Sequence, residues 1–161
     1  MLFHFGQFEI NTDVDKNRAI YKELPLISDN CQCTGCINYQ KAIVTSPKEV
    51  ISFFKALGMN IQKPSEMSVY CSEENGKKLF YGGFYHLTGK IIAGKSAWRS
   101  LEDGTDSLWW DISRTHALTE DFRISFQSNC SLVEREFTVP TIQMEVEFHV
   151  PWVLEEENQY R

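Results

Sequence analysis

Three cysteines lie close together near residue 33. Cys31, Cys33 and Cys36 form the pattern C-x-C-x-x-C in a segment that follows Pro25. Three thiols this close in sequence cannot all pair with one another as disulfides, and a cluster of this kind in a reducing compartment is typical of a metal site. Cys33 and Cys36 form a knuckle that can bring two thiolates to one ion, and Cys31 can add a third. The pattern therefore predicts a bound zinc ion.

The fourth ligand of such a zinc site is missing from the local sequence. His86 and Cys71 lie on the two arms of one predicted hairpin, so either could face the cysteine loop. We favour His86, because Cys71 alternates in step with Met67 and Val69 and is expected in the core. An iron–sulfur cluster would instead need a fourth thiolate from Cys71 or Cys130.

Other roles are open to the same cysteines. Cys33 and Cys36 could serve a small metal-dependent or thiol redox enzyme, which would need an open coordination position or an accessible thiolate of low pKa. A thioredoxin-like site is disfavoured, because no strand–helix–strand pattern surrounds the motif. The cysteines could also be buried and chemically inert.

The acidic residues are concentrated in the C-terminal quarter of the chain. Residues 1–118 hold equal numbers of acidic and basic side chains, so residues 119–161 account for the whole net charge of -6. Four glutamates there are spaced two apart on extended segments: Glu134, Glu136, Glu145 and Glu147. They form either a solvated surface or a docking face for a basic protein. This net negative charge argues against direct binding to nucleic acid, because the phosphates of nucleic acid attract lysine and arginine.

The elements that must position these residues follow from the periodicity of apolar side chains. Ser46-Pro47-Lys48-Glu49 has the composition of a helix start, and Gly58 supplies a stop, so a helix is predicted over 47–57. A shorter helix is expected from Cys36 to Val44. Residues 11–17 are polar and are expected to form a turn.

From Met67 onward the apolar residues alternate with a period of two, which is typical of strands. Asn75-Gly76 predicts a tight turn before an aromatic return strand over 79–87, and the segment 142–150 is the most regular amphipathic strand. Roughly seven to nine strands, with one or two helices near the N-terminal third, predict an α+β fold. We expect a predominantly antiparallel sheet, sandwich-like or strongly curved, and a single domain over 1–161.

The composition excludes several classes of protein. Hydrophobic residues make up 42% of the chain and aromatic residues 13%, which is too apolar for a disordered protein. The longest apolar runs are far shorter than the 18 or so residues of a membrane helix. The first residues lack the basic start of a secretory signal. We therefore expect a cytoplasmic protein without membrane association.

The segment from Cys31 to Tyr39, with the pattern C-x-C-x-x-C-x-N-Y, resembles the head of a group of small uncharacterised bacterial proteins. Four further segments are similar to the same group: residues 57–59, 63–66, 81–89 and 148–154. The resemblance implies a cysteine-rich head, one helix and a β-rich body. It also implies that the cysteines and His86 belong to a shared design.

These features favour a non-enzymatic interaction module. In this hypothesis zinc stabilises the domain, and the four glutamates bind a basic surface of a partner protein. The most specific form of this hypothesis is an inhibitor of a nucleic-acid-handling enzyme, such as an anti-CRISPR-like antagonist. It is suggested by a chain that is small, acidic and without an evident catalytic motif. A further alternative is a β domain that binds a small molecule between sheet and helix, with residues 81–85 as a pocket wall.

Overall fold

A computed structural model describes residues 1–161 and has the predicted α+β fold. The helices are α1 (Val14–Glu23), α2 (Ile27–Asn30), α3 (Thr34–Ala42) and α4 (Lys48–Ala56). The strands are β1 (Leu2–Phe5), β2 (Phe8–Asn11), β3 (Glu66–Glu73), β4 (Lys78–Thr88), β5 (Lys90–Ala93), β6 (Trp98–Ser100), β7 (Leu108–Trp110), β8 (His116–Thr119), β9 (Phe122–Gln127) and β10 (Thr141–Pro151). The helices lie in the N-terminal third as expected, but there are four of them instead of one or two.

All strand pairings are antiparallel. The largest sheet has five strands in the order β3-β4-β10-β9-β8, and a three-stranded sheet has the order β1-β2-β5. β6 and β7 form a separate hairpin. β10 pairs with β4 along its whole length and with β9 over residues 143–148, so it is the central strand of the largest sheet.

The predicted hairpin forms between β3 and β4, although its connection is longer than two residues. A short helical turn spans Glu74–Gly76, and Glu74 and Asn75 both have positive φ angles, 50° and 56°. Asparagine tolerates this region of backbone space better than most residues. Glu73 lies opposite Lys78, so unlike charges flank the turn as expected.

α4 begins close to the predicted start and buries Val50, Phe53 and Phe54. Gly58, with φ of 73°, follows the helix and ends it. α1 was not predicted, since residues 11–17 were expected to form a turn. Asn17 lies on the buried face of α1 with 0% exposure. Because this residue is polar, the apolar residues of α1 do not repeat with the spacing that identifies a helix in the sequence.

The two faces of the five-stranded sheet differ in character. One face carries Tyr81 and Tyr85 of β4, which are 1% and 0% exposed and pack under the helices. Tyr85 donates to the carbonyl of Ile61 at 2.7 Å. These rings fill the space between the sheet and the helices, so Tyr81 and Tyr85 do not form a pocket wall on the helix side of the sheet.

The opposite face carries Gln143, Glu145 and Glu147 of β10, and the β6–β7 hairpin lies beside it. The hairpin is fastened there by a hydrogen bond of 2.8 Å from the Ala97 amide to the Ser125 hydroxyl. The helices and the acidic strand residues therefore lie on opposite sides of the sheet. None of the helices is both long and apolar enough to cross a membrane.

Candidate metal centre

The three cysteines lie at the junction between α2 and α3. Cys31 follows the last residue of α2, Cys33 is the N-cap of α3, and Cys36 lies in the first turn of α3. The Cys33 sulfur accepts a hydrogen bond of 3.4 Å from the Cys36 amide. A sulfur thus takes the place in which a serine or aspartate oxygen usually caps a helix. The positive end of the helix dipole favours a thiolate at this position.

The three sulfur atoms are close enough to share one ion. All lie within 4.8 Å of one another, and the sulfurs of Cys31 and Cys33 are 3.2 Å apart. In a tetrahedral site with Zn–S bonds of about 2.3 Å, the sulfurs lie roughly 3.8 Å apart. A set of three thiolates at this spacing fits a soft or borderline ion such as zinc.

The surroundings make the three thiols unequal. Burial opposes ionisation of Cys33, but hydrogen bonds from the Cys36 amide and from neighbouring side chains, including Tyr160, lower its pKa overall. Burial raises the pKa of Cys36 well above that of an ordinary thiol, and the adjacent Cys31 and Cys33 raise it further. Cys33 therefore ionises more readily than Cys36 and is also the more accessible of the two.

Tyr160 joins the C-terminal segment to the cysteine knuckle. Its hydroxyl accepts a hydrogen bond of 3.1 Å from the Gly35 amide and lies within hydrogen-bond reach of Cys33. A Cβ atom on residue 35 would lie 2.6 Å from this hydroxyl, so the close approach requires glycine. From the other side, Tyr81 donates to the Gly35 carbonyl at 2.7 Å. Two tyrosines thus hold the knuckle backbone.

This contact predicts the effect of Tyr160→Phe. Without the hydroxyl, the pKa of Cys33 rises and its thiolate fraction at neutral pH falls, so alkylation by iodoacetamide is expected to slow about threefold. The measurement is the rate of modification of Cys33 in the metal-free protein, followed by peptide mass spectrometry. Tyr70→Phe, on the opposite face of the sheet, serves as the control. An unchanged rate in Tyr160→Phe would show that the hydroxyl does not stabilise the thiolate.

The structure does not bring His86 to the cysteines, which corrects its assignment as the fourth ligand. His86 is completely buried on the other side of the sheet. Its Nδ1 lies 2.8 Å from the Ser65 hydroxyl and 3.0 Å from a Glu134 oxygen, and its Nε2 lies 3.0 Å from the Gln143 carbonyl oxygen. Both ring nitrogens therefore have partners within the protein.

Cys71 and Cys130 do not complete the site either. Neither thiol belongs to the group formed by the other three, and no further histidine, aspartate or glutamate joins that group. Cys71 lies opposite Phe80 after a register shift in β3, and Cys130 lies within 3.4 Å of the Thr141 carbonyl. The group therefore lacks the fourth thiolate of an all-cysteine iron–sulfur site. A tetrahedral ion would take its fourth ligand from another donor, such as water.

The acidic residues contribute to a second polar cluster around His86. The Ser65 hydroxyl donates to Glu134, so the His86 Nδ1 must itself donate to these two neighbours. Its Nε2 faces the Gln143 oxygen, which also accepts from the Ser131 amide at 2.7 Å. Each ring nitrogen therefore faces an acceptor, and Nδ1 lies against the Glu134 carboxylate. Ser65 and Glu134 meet the same nitrogen, so this is not the geometry of a catalytic triad.

The four glutamates assigned to partner binding have different surroundings. Glu134 is bound in the cluster just described, and hydrogen bonds from His86 and Ser65 outweigh its burial and lower its pKa. Glu145 is 6% exposed, and burial raises its pKa. Glu136 is partly exposed, 3.5 Å from Arg135, and Glu147 is partly exposed opposite Gly82. Only Glu136 and Glu147 combine partial exposure with side chains outside the buried hydrogen-bond network.

Tyr160 was missed by the sequence reasoning, because 125 residues separate it from Gly35 and no local pattern connects them. Comparisons of the chain with protein-family models, curated proteins and solved structures find no match. The geometry of the site is therefore the basis for a functional proposal.

Proposed function

We propose that the protein is a non-enzymatic binding domain stabilised by one zinc ion at Cys31, Cys33 and Cys36. The observation that carries the proposal is the mutual approach of three sulfurs within 4.8 Å. Zinc bound there would act as a cross-link without redox chemistry. The pKa of Cys33 is already lowered, which favours the thiolate that a metal requires.

A structural role is supported by the place of the cysteines in the fold. α2 has only four residues and cannot hold its orientation by its own hydrogen bonds. An ion bound to Cys31 and Cys33 would fix the end of α2 against the start of α3. α3 in turn contacts the sheet through Gly35, whose carbonyl accepts from Tyr81. The ion would thereby tie the helical layer to the sheet.

The metal content of the purified chain tests this proposal. We expect close to one zinc per chain by elemental mass spectrometry when the protein is purified without chelator, and loss of that zinc in Cys33→Ser. Cys130→Ser is the matched control, since its thiol lies outside the group. Metal-free protein from zinc-supplemented cells, or retention of full zinc by Cys33→Ser, would contradict the site.

A second candidate, thiol–disulfide exchange, is favoured by the contrast between Cys33 and Cys36. Cys33 is exposed with a lowered pKa, whereas Cys36 is buried with a raised one. In such an exchange the Cys33 thiolate would attack a substrate disulfide and release one thiolate. The Cys36 sulfur, after losing its proton, would then displace the second and leave a Cys33–Cys36 disulfide. Reduction of insulin disulfides with dithiothreitol, compared between wild type and Cys36→Ser, tests this candidate.

The proposed partner class is a basic protein surface, including that of a nucleic-acid-handling enzyme. Its support is the concentration of negative charge in residues 119–161 together with the partial exposure of Glu136 and Glu147. Glu134 is committed to His86, and Glu145 is nearly inaccessible to a flat protein surface. Contacts with a partner are therefore assigned to Glu136 and Glu147.

A further inference from the structure

A small cavity lies on the polar face of the five-stranded sheet, beside the β6–β7 hairpin. Its volume is about 120 Å³. Aromatic side chains of Tyr70, Trp98 and Trp110 line it together with the glutamates Glu145 and Glu147. The rings of Trp98 and Trp110 meet edge to face, with centroids 5.1 Å apart. The cavity therefore combines aromatic surfaces with two carboxylates.

The carboxylates of this cavity form no ion pair within the protein. Neither Glu145 nor Glu147 lies within 4.0 Å of a basic group. One Glu145 oxygen accepts hydrogen bonds from Gln127 and from Gln143, the latter at 2.6 Å, and these amides are neutral. Buried carboxylates in proteins are normally paired with a cation. The missing charge points to a positively charged ligand.

The aromatic residues are suited to such a ligand. The faces of tryptophan and tyrosine rings attract cations, and cages of such rings bind quaternary ammonium groups. The Tyr70 hydroxyl and ring pack so closely on Gly82 that a Cβ atom there would lie 2.0 Å from the hydroxyl oxygen. Because Gly82 has no side chain, the Tyr70 ring can pack directly against the sheet beside the two carboxylates.

The indole nitrogen of Trp110 gives a second indication of a ligand. It is buried and has no hydrogen-bond partner, and it is the only buried side-chain nitrogen or oxygen in the structure without one. An indole N–H can only donate. A ligand whose hydroxyl reached this N–H would satisfy it.

A groove of about 340 Å³ adjoins the cavity and shares Tyr70, Trp98 and Glu145 with it. Beyond these residues the groove is lined by polar side chains, including Ser68 and Gln127. A ligand with a cationic head in the cavity would therefore have room for a polar tail. The groove lies on the face of the sheet opposite the cysteine knuckle.

We propose that this cavity binds the alkylammonium group of an organic cation, with Trp98, Trp110 and Tyr70 around the group and Glu145 and Glu147 balancing its charge. Binding at this site does not depend on zinc at the cysteines. An alkylammonium group can belong to a free compound such as choline or to a methylated lysine side chain. Both present the same chemistry to the cavity.

The first experiment compares choline with 3,3-dimethylbutan-1-ol, its uncharged carbon isostere, by calorimetry and tryptophan fluorescence. We expect choline to bind saturably and to change the fluorescence. We expect the isostere, which keeps shape and hydroxyl but lacks the charge, to bind at least about tenfold more weakly. Equal binding of the two compounds, or no saturable binding of choline, trimethyllysine or spermidine, would overturn the proposal.

Variants then locate the site. Glu145→Gln keeps the size and one acceptor oxygen, so we expect the fold to persist while choline affinity falls about tenfold. The melting temperature should be equal or higher, because burial of this carboxylate disfavours its charged form. Trp98→Leu should also weaken binding, whereas Trp109→Phe on the same hairpin should not, since Trp109 is 40% exposed and contacts Arg99. Unchanged affinity in both Glu145→Gln and Trp98→Leu would contradict the site.

The source of the cation is resolved by comparing choline with a short peptide that contains trimethyllysine. Tighter binding of the peptide would identify a protein side chain, and tighter binding of choline a free compound. Either result supports ammonium recognition. The same titrations on Cys33→Ser separate this inference from the proposed zinc site, because choline should bind the variant as long as it folds.

Discussion

Replacing Glu134 with alanine is expected to destabilise the fold by about 3 kcal/mol at neutral pH, near the lower end of the range for breaking a buried ion pair. The reason is the environment of His86, which is completely buried and donates from Nδ1 to Glu134. Without the carboxylate, the buried Nδ1 loses one acceptor and keeps only the Ser65 hydroxyl, which has itself lost the acceptor of its own proton. We place the value low in the range because the Glu134 side chain is 20% exposed. Urea-induced unfolding provides the measurement.

Glu136→Ala is the matched control. Glu136 lies two residues further on and forms an ion pair with Arg135, whose side chain is 95% exposed, so its loss should change stability by less than about 1 kcal/mol. Equal effects of the two substitutions would show that the His86–Glu134 pair does not stabilise the fold.

The effect of Glu134→Ala should also depend on pH. The pKa of Glu134 is lowered in the folded protein from its usual value of 4.5. Its contribution is therefore fully present above about pH 4.5 and is lost as the pH falls through the lower folded value. The difference in stability between wild type and Glu134→Ala should therefore narrow as the pH falls below about 4.5. A difference that widened as the pH fell would contradict a lowered pKa of Glu134 in the folded protein.

The sequence predicted the local features of the fold that depend on neighbouring residues. The stripe that contains Val50, Phe53 and Phe54 identified α4 to within about a residue at each end, because capping and burial agree there. The cysteine cluster was recognised for the same reason, since its members lie within six residues. In contrast, α1 has a buried asparagine on its core face, and its stabilising partners, Thr88 among them, come from distant segments.

The misassignment of His86 shows where such reasoning fails. The knuckle contacts Tyr81, an odd-numbered residue of β4, whereas His86 is even-numbered. Successive residues of a strand point to opposite faces, so a loop on the Tyr81 side cannot reach His86. The sequence predicted β4 as a strand. The face of β4 that meets the cysteines depends on tertiary packing, which the local sequence does not indicate. The same applies to the aromatic cavity, because no local pattern indicates where the β6–β7 hairpin docks on the sheet.

Removal of the proposed zinc ion is expected to produce the second large loss of stability. The free energy of unfolding should be about 4 kcal/mol lower with a chelator than in the presence of zinc at about 1,000 times its dissociation constant. For a chain of this size, each kcal/mol lowers the melting temperature by roughly 2 to 4 °C, so a fall of about 8 to 16 °C is expected. The fall should be partial, because a core cluster of 29 buried residues remains without the ion.

Cys33→Ser and Cys36→Ser distinguish a metal cross-link from other effects of the chelator. Both variants should melt at the temperature of the chelated wild type and should no longer respond to zinc or chelator, because each removes one of the three sulfurs. Cys130→Ser should respond to zinc as the wild type does. If the wild type melts at the same temperature with zinc and with chelator, no ion stabilises the junction of α2 and α3. The contrast between Cys33 and Cys36 would then favour thiol exchange, for which an exposed thiolate beside a buried thiol is the required arrangement.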